Sequence, residues 1–267
     1  MEFLKAEGLG NDFVMVQGAE PTAEQIRRWC DRRTGIGADG VLRVSRPDHR
    51  EAVARMQYWN ADGTPAGMCG NGLRCVARYV FDGGWSKERL FTIQTPTGMR
   101  QVEILDDGMI RVELGPYRVG SGLRIRGRSF TTADVGNPHA VTFVEEGSEL
   151  ETVPLRSVGL ALQGHQSFPE GVNVEFAAGT AHGFRVRVWE RGAGETRACG
   201  TGAAAVAAVA FQRGCVGSAT EIELPGGPLA VELIEGVAWI TGPAVLVFSG
   251  TIPDRTGNGE TRASEAR

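Results

Sequence analysis

Two cysteines in this 267-residue chain each open a Cys-Gly-x-Gly turn, Cys69 in MCGNG (68–72) and Cys199 in ACGTG (198–202). Each turn leads into a run of helical character, so each thiol is expected at a helix N-terminus. Unpaired amides and the positive end of the helix dipole favour thiolate there, and the same amides can hold a carboxylate. Two such cysteines facing one cleft could invert a carbon stereocentre: a thiolate takes a proton from one face while a thiol delivers one to the other. A free thiol of pKa ~8.5 is mostly protonated at neutral pH, and a drop of about two units corresponds to roughly 2.7 kcal/mol. Helix ends and a nearby histidine are expected to supply it.

Other chemistries fit the sequence less well. A pyridoxal mechanism needs a Schiff-base lysine, but lysine occurs only at Lys5, near the N-terminus, and Lys87, in a polar loop. Zinc sites commonly use CxxC pairs, and the spacing of Cys69 and Cys75 is not that. No metal or organic cofactor is therefore expected. Cys30, Cys75 and Cys215 read as small apolar core residues. A thiol–disulfide exchanger or redox-sensing module remains open should Cys69 and Cys199 meet, although the usual local CxxC is missing. Neither Gly-rich turn fits a P-loop or dinucleotide fingerprint. Of the four histidines, His49, His165 and His182 lie in polar loop contexts, whereas His139 sits in a Gly-Asn-Pro-His turn that suggests a role.

The elements around these turns are mostly strands. Residues 1–16 read as strand, turn and strand, 21–33 as a helix, 41–44 and 52–59 as strands; three alternating segments then span 90–114. Residues 118–127 read as a linker, after which the order begins again: strands at 129–135 and 140–145, a helix at 153–162, strands at 172–176 and 184–189, the second Cys-Gly helix, and strands from 221 to 240. IQTPTGMRQVEILDDG (93–108) aligns with IELPGGPLAVELIEG (222–236), with Pro96 on Pro225 and Gly98 on Gly227. The order and the alignment predict an α/β fold (mixed sheets) of two homologous lobes, each a barrel-like sheet around a buried helix. The lobes are placed at 1–117, carrying Cys69, and 118–253, carrying Cys199, with 254–267 a disordered tail. A pseudo-twofold axis between them would aim both helix N-termini into a common cleft.

Composition sets outer limits. Apolar content of 42% and charged content of 22% are ordinary for a globular protein. A net charge of −4 argues against nucleic acid or an anionic membrane as partner. The longest apolar run, 203–211, is too short to span a bilayer. The lack of a basic-plus-apolar leader and an odd count of five cysteines point to free thiols and a cytoplasmic location.

Taken together, GLGNDF (8–13), GIGADG (35–40), NADGT (60–64), MCGNG (68–72), GNPH (136–139), PEGVNVEF (169–176) and ERGAGETRACGTG (190–202) resemble the diaminopimelate epimerase family over nearly the whole chain. The resemblance implies a cofactor-independent isomerase of bacterial lysine biosynthesis, homodimeric, that interconverts LL- and meso-diaminopimelate. It implies Cys69 and Cys199 as the two acid/bases, with His139 and Glu190 tuning them. It places Asn11, Asn60, Asn137, Asn173, Glu190 and Arg191 around the substrate, with the amides of Gly70-Asn71 and Gly200-Thr201 on the reacting carboxylate. Proline racemases share the superfamily, but their first motif resembles MCGHG where this chain has Asn71. After Asp62-Gly63 the family usually has Ser and an acid; here Thr64-Pro65-Ala66-Gly67 follow. The alternative is a racemase or epimerase of another amino acid on the same two-cysteine machinery.

Overall fold

The structure is a computed structural model that describes residues 1–145 and 147–253. The tail predicted at 254–267 lies outside the described residues. In the first half, β1 (Glu2–Gly8) and β2 (Asn11–Val16) form a hairpin. Its turn places Leu9 and Gly10 at φ of 56° and 80°, the left-handed conformation a two-residue hairpin loop requires. Helix α1 (Ala23–Cys30) crosses to β3 (Gly40–Ser45), parallel to β2. Strand β4 (Ala54–Asn60) returns antiparallel to β3, and β5 (Pro65–Ala66) folds back onto its end. Helix α2 (Gly70–Asp82) then crosses to β6 (Leu90–Thr95), parallel to β4. A meander through β7 (Gly98–Ile104) and β8 (Ile110–Pro116) follows, and β9 (Arg118–Ile125) comes last.

The second half repeats this order. β10 (Arg128–Asp134) and β11 (Pro138–Val144) are antiparallel; α3 (Gly147–Thr152) and α4 (Leu155–Gln163) cross to β12 (Asn173–Gly179), parallel to β11. β13 (Gly183–Glu190) carries the short β14 (Gly194–Thr196), and α5 (Gly200–Gln212) crosses to β15 (Ala219–Leu224), parallel to β13. β16 (Gly227–Ile234), β17 (Val237–Gly242) and β18 (Val245–Thr251) are the last elements among the described residues. Parallel pairs need a crossover, and in both halves the second crossover is the cysteine-led helix.

Three strand pairings join the halves. β8 and β17 run antiparallel, with Val112 opposite Ile240. The last strand of each half is exchanged: β9 pairs with β10, and β18 pairs with β1. The predicted linker at 118–127 is thus largely a strand. It escaped the sequence reading because it is mostly exposed, carries Gly120 and Gly122, and pairs through backbone without an apolar alternation. We propose that the division at 117/118 separates two lobes, with β18 added to the first.

Helix α5 is buried from Gly200 to Ala210, as its all-round apolar sequence dictates, and α2 is buried over most of its length. Alanine makes α5 thin enough to sit inside the curved sheet. One apolar cluster contains residues of both helices, while smaller clusters lie under α1 and under α3–α4. Helix α1 is shorter than the predicted 21–33. Thr22 caps it with a reciprocal Gln25 contact, and Asp31 is already extended. Helix α3 has no counterpart among the sequence-predicted elements. Cys30 and Cys75 are buried as expected, but Cys215 is exposed in the turn after α5.

The exchange makes β18 a structural part of the first lobe, where Phe248 packs edge-to-face on Phe3 at 5.9 Å. Truncation after Ala244 is expected to lower the Tm by about 10 °C, the scale of a few kcal/mol in a chain of this size. An unchanged melting curve by circular dichroism would show that β18 does not support β1.

Candidate active site

Each cysteine is the N-cap of its helix. Cys69 Sγ accepts from the Gly72 amide at 3.3 Å, and Cys199 Sγ from the Gly202 amide at 3.4 Å. Sulfur thus occupies the place where Ser, Thr, Asp or Asn usually caps. The first-turn amides ahead of these bonds, at Gly70-Asn71 and Gly200-Thr201, have no carbonyl one turn behind them within the helix. The helix ends converge on Ile240 of β17: a Cβ on Gly70 would lie 2.8 Å from Ile240 Cδ1, and one on Gly200 would lie 2.9 Å from it and 3.8 Å from Gly70 Cα. Asn71 spans the two halves, its Nδ2 donating to Ala198 O at 3.1 Å and to Asn11 Oδ1 at 3.2 Å.

The Cys69 side rests on a network of charges. Asn11 Oδ1 faces the Cys69 thiol at 3.8 Å, while Asn11 Nδ2 donates to Asp39 at 2.9 Å. Arg32 bridges Asp39 and Asp12, and buried Lys5 binds Asp12 at 2.6 Å and the Gly37 carbonyl. Burial would raise the Asp12 pKa, but hydrogen bonds from Arg32 and Lys5 outweigh it and hold the carboxyl at about 2.

The Cys199 side is built differently. Thr201 Oγ1 lies 3.5 Å from Cys199 Sγ and accepts from Asn137 Nδ2 at 3.3 Å. His139 contacts neither sulfur through a hydrogen bond: Nε2 faces Asn137 Oδ1 at 2.9 Å and Nδ1 faces Glu175 Oε1 at 2.7 Å, both side chains fully buried. Glu190 is bound by the Thr196 hydroxyl and interacts electrostatically with Cys199; burial pushes its carboxyl up.

Burial also pushes both thiols up, Cys69 to about 12 and Cys199 well above its ordinary value. This reverses the expected direction of tuning. The Gly72 and Asn71 amides lower the Cys69 value, but they act against the removal of a thiolate from water, and Glu190 repels both sulfurs.

The remaining sequence candidates divide. Asn173 is buried, with Nδ2 on Pro138 O at 3.3 Å and Oδ1 accepting from the Arg191 amide at 2.8 Å, so it holds backbone. Arg191 is exposed, its guanidinium on Glu170 O at 2.8 Å. Asn60 is exposed at the end of β4, donating to Thr64 Oγ1 at 3.1 Å. Glu175 was not foreseen; the signal was a lone acid in the apolar run NVEFAA. Tyr58, which senses both Cys69 and Glu190 electrostatically, gave no such signal. Among the described residues no cluster of three or more His, Cys, Asp or Glu side chains could hold a metal. Lys5 is occupied by Asp12, and Lys87 sits in an exposed turn.

The chain matches the family model described as diaminopimelate epimerase over residues 3–120 and 131–247. It is 38% identical over 276 residues to the diaminopimelate epimerase of Stutzerimonas stutzeri (strain A1501), covering 94% of this chain and 99% of that one. It is 39% identical over 280 residues to the diaminopimelate epimerase of Synechococcus sp. (strain JA-3-3Ab), covering 94% and 98%. Among solved structures, its fold is similar to a hydroxyproline epimerase from Agrobacterium vitis with bound trans-4-OH-L-proline (TM-score 0.72, 18% identity, 94% of this chain and 91% of that one). It is also similar to the PhzF-family phenazine biosynthesis protein of Bacillus anthracis (TM-score 0.73, 16% identity, 95% and 99%).

The Asp12 cluster sets an acid limit on the Cys69 side. Because its folded pKa is depressed, the stabilisation is complete above the ordinary aspartate value of 3.8 and is lost as pH falls through about 2. Asp12→Asn is expected to cost about 2 kcal/mol at pH 5 and to flatten the loss of urea stability between pH 4 and pH 2. An equally steep acid loss in the variant would assign it to other carboxyls.

Proposed function

The chain belongs to the diaminopimelate epimerase family and is an isomerase, and we propose that it interconverts LL- and meso-diaminopimelate with Cys69 and Cys199 as opposed acid and base. The observation that carries this reading is the convergence of two cysteine-capped helix ends on Ile240. One thiolate removes the α-proton, and the thiol opposite protonates the other face of the carbanion. The electron pair left on the α-carbon delocalises into the α-carboxylate, whose developing charge is held by the first-turn amides of Gly70-Asn71 and Gly200-Thr201. With both thiols pushed up by burial, the thiolate needs a favourable charge nearby, and the substrate α-ammonium group can supply it.

His139 and Glu190 tune Cys199, Glu190 directly and His139 through Asn137 and Thr201. Asn11 orients the Cys69 thiol. Arg191, at the exposed rim with donors to spare, suits the distal carboxylate as a fork, and Asn60 and Asn173 complete the polar lining. The chemistry asks for no metal or organic cofactor. Free cysteines and the lack, among the described residues, of a helix long and apolar enough to cross a membrane support a cytoplasmic location. Exposed Val245, Val247 and Phe248 on β18 support a homodimer.

Reduced protein with LL-diaminopimelate is expected to yield the meso form by proton NMR, and Cys69→Ala and Cys199→Ala are each expected to lower turnover at least ~10³-fold. Full activity in either variant would sink the two-base assignment. An inactive wild type that instead inverted proline or another amino acid would overturn the substrate.

A further inference from the structure

The two halves share a backbone but not the side chains behind their sulfurs. Parallel pairing sets Phe13 beside Gly40 in the first half and His139 beside Asn173 in the second. The matching registers make Phe13 the counterpart of His139, and Leu42 the counterpart of Glu175. Packing agrees: a Cβ on Gly72 would lie 2.9 Å from Leu42 Cδ2, and one on Gly202 would lie 2.8 Å from Glu175 Oε1. A fully buried carboxylate thus stands in the second half where the first has a leucine, and its Oε2 has no hydrogen-bond partner. Burying such a group is unfavourable unless it is paired and hydrogen-bonded, and here its only hydrogen-bond partner among the described residues is His139.

We propose that Glu175 is a positioning residue that acts through His139, Asn137 and Thr201 to aim a hydroxyl donor at Cys199 Sγ. The hydrogen bonds have one consistent direction. Asn137 Nδ2 donates to Thr201, so Asn137 Oδ1 must accept, and the group facing it is His139 Nε2. Nε2 therefore carries its hydrogen. Glu175 at Nδ1 permits this whether the shared proton sits on the ring or on the carboxyl, because Nε2–H is kept in both cases. Thr201, with a lone pair taken by Asn137, is left to donate to the sulfur at 3.5 Å. Were the chain reversed, Thr201 would donate to Asn137 and offer the sulfur a lone pair, which favours thiol. No such chain backs Cys69, whose half has Phe13 and Leu42 in these places.

The titratable and charged groups around Cys199 among the described residues are Glu175 on β12, His139 on β11 and Glu190 on β13; from the other half, Cys69 and Tyr58 interact with Glu190 electrostatically. The proposal rests on Cys199 acting as an acid/base, but its test does not need turnover. It is the rate of iodoacetamide alkylation at Cys199, read by peptide mass mapping at pH 8.5, with Cys69 in the same sample as internal reference. Glu175→Leu and Thr201→Val are each expected to slow Cys199 relative to Cys69 about tenfold, the scale of one lost hydrogen bond to a thiolate. Because both act through one hydroxyl, the double variant should be no slower than either single one. Glu175→Gln, which can still donate to Nδ1, and Thr201→Ser should stay within about twofold of wild type. Should Glu175→Leu not fold, His139→Phe, carrying the residue of the other half, makes the same break.

Faster alkylation in Glu175→Leu would mean that the carboxylate acts only as a repelling charge, and additive or absent effects would mean that it does not act through Thr201; each overturns the proposal. A wild type that alkylates as described yet turns over no diaminopimelate would leave the relay standing and overturn the substrate instead.

Discussion

Two helix N-termini, each capped by a cysteine sulfur, have to meet end to end inside a protein, and most of the architecture answers that demand. Like dipole ends repel, and their first-turn amides lose water, so the approach is unfavourable without compensation. The protein meets part of the cost with side chains: the sulfurs take the Gly72 and Gly202 amides, and Asn71 reaches across to Ala198. Glycine at both first helical positions follows from the closeness of Ile240, where a methyl group would not fit without movement. The α-carboxylate of an amino acid has the charge that would offset the amides that remain.

Duplication supplies the geometry and divergence supplies the chemistry. Each half delivers a helix to the centre by the same strand order, and β8 with β17 ties the two together. Inversion requires the bases to face each other, which a pseudo-twofold arrangement provides at once. It does not require them to be alike. The Cys69 half has Phe13 and Leu42 in the places of His139 and Glu175, and its thiol faces the Asn11–Asp39 network, whereas Cys199 has Thr201, Glu190 and, behind them, the His139–Glu175 pair. A substrate with one stereocentre reacting and a second amino-acid group held at the far end is itself asymmetric, so unlike surroundings are to be expected.

Much of this was legible in the residues. The repeat, the two cysteine-led helices and the chain-long α/β organisation come from local patterns: alternation, glycine punctuation and an all-apolar helix; the meeting of the two helix ends follows from the symmetry of the repeat. What stayed hidden depends on distant contacts. β9 and β18 are exposed strands whose partners lie in the other half, so neither carries an apolar face to announce it. The direction of the thiol shifts was misjudged because a helix end is visible in sequence and the depth of its burial is not. His139 reads as a neighbour of sulfur, yet its hydrogen bonds lead to Cys199 only by way of Asn137 and Thr201. Glu175 shows most clearly why: a charge in an apolar strand is unusual on its own, but only the register of β11 against β12 reveals what it holds.

The opposed-base arrangement is tested most directly by the early fate of the α-proton in deuterated water. Wild-type protein is given LL-diaminopimelate, and both epimers are examined by mass spectrometry in the first few per cent of reaction. Two separate sulfurs, each equilibrated with solvent, should put deuterium into essentially all of the meso product while the remaining LL substrate keeps its proton. Product that retains the original proton, or substrate that exchanges as fast as product forms, would mean that one group serves both faces and would contradict the assignment of Cys69 and Cys199 to opposite sides.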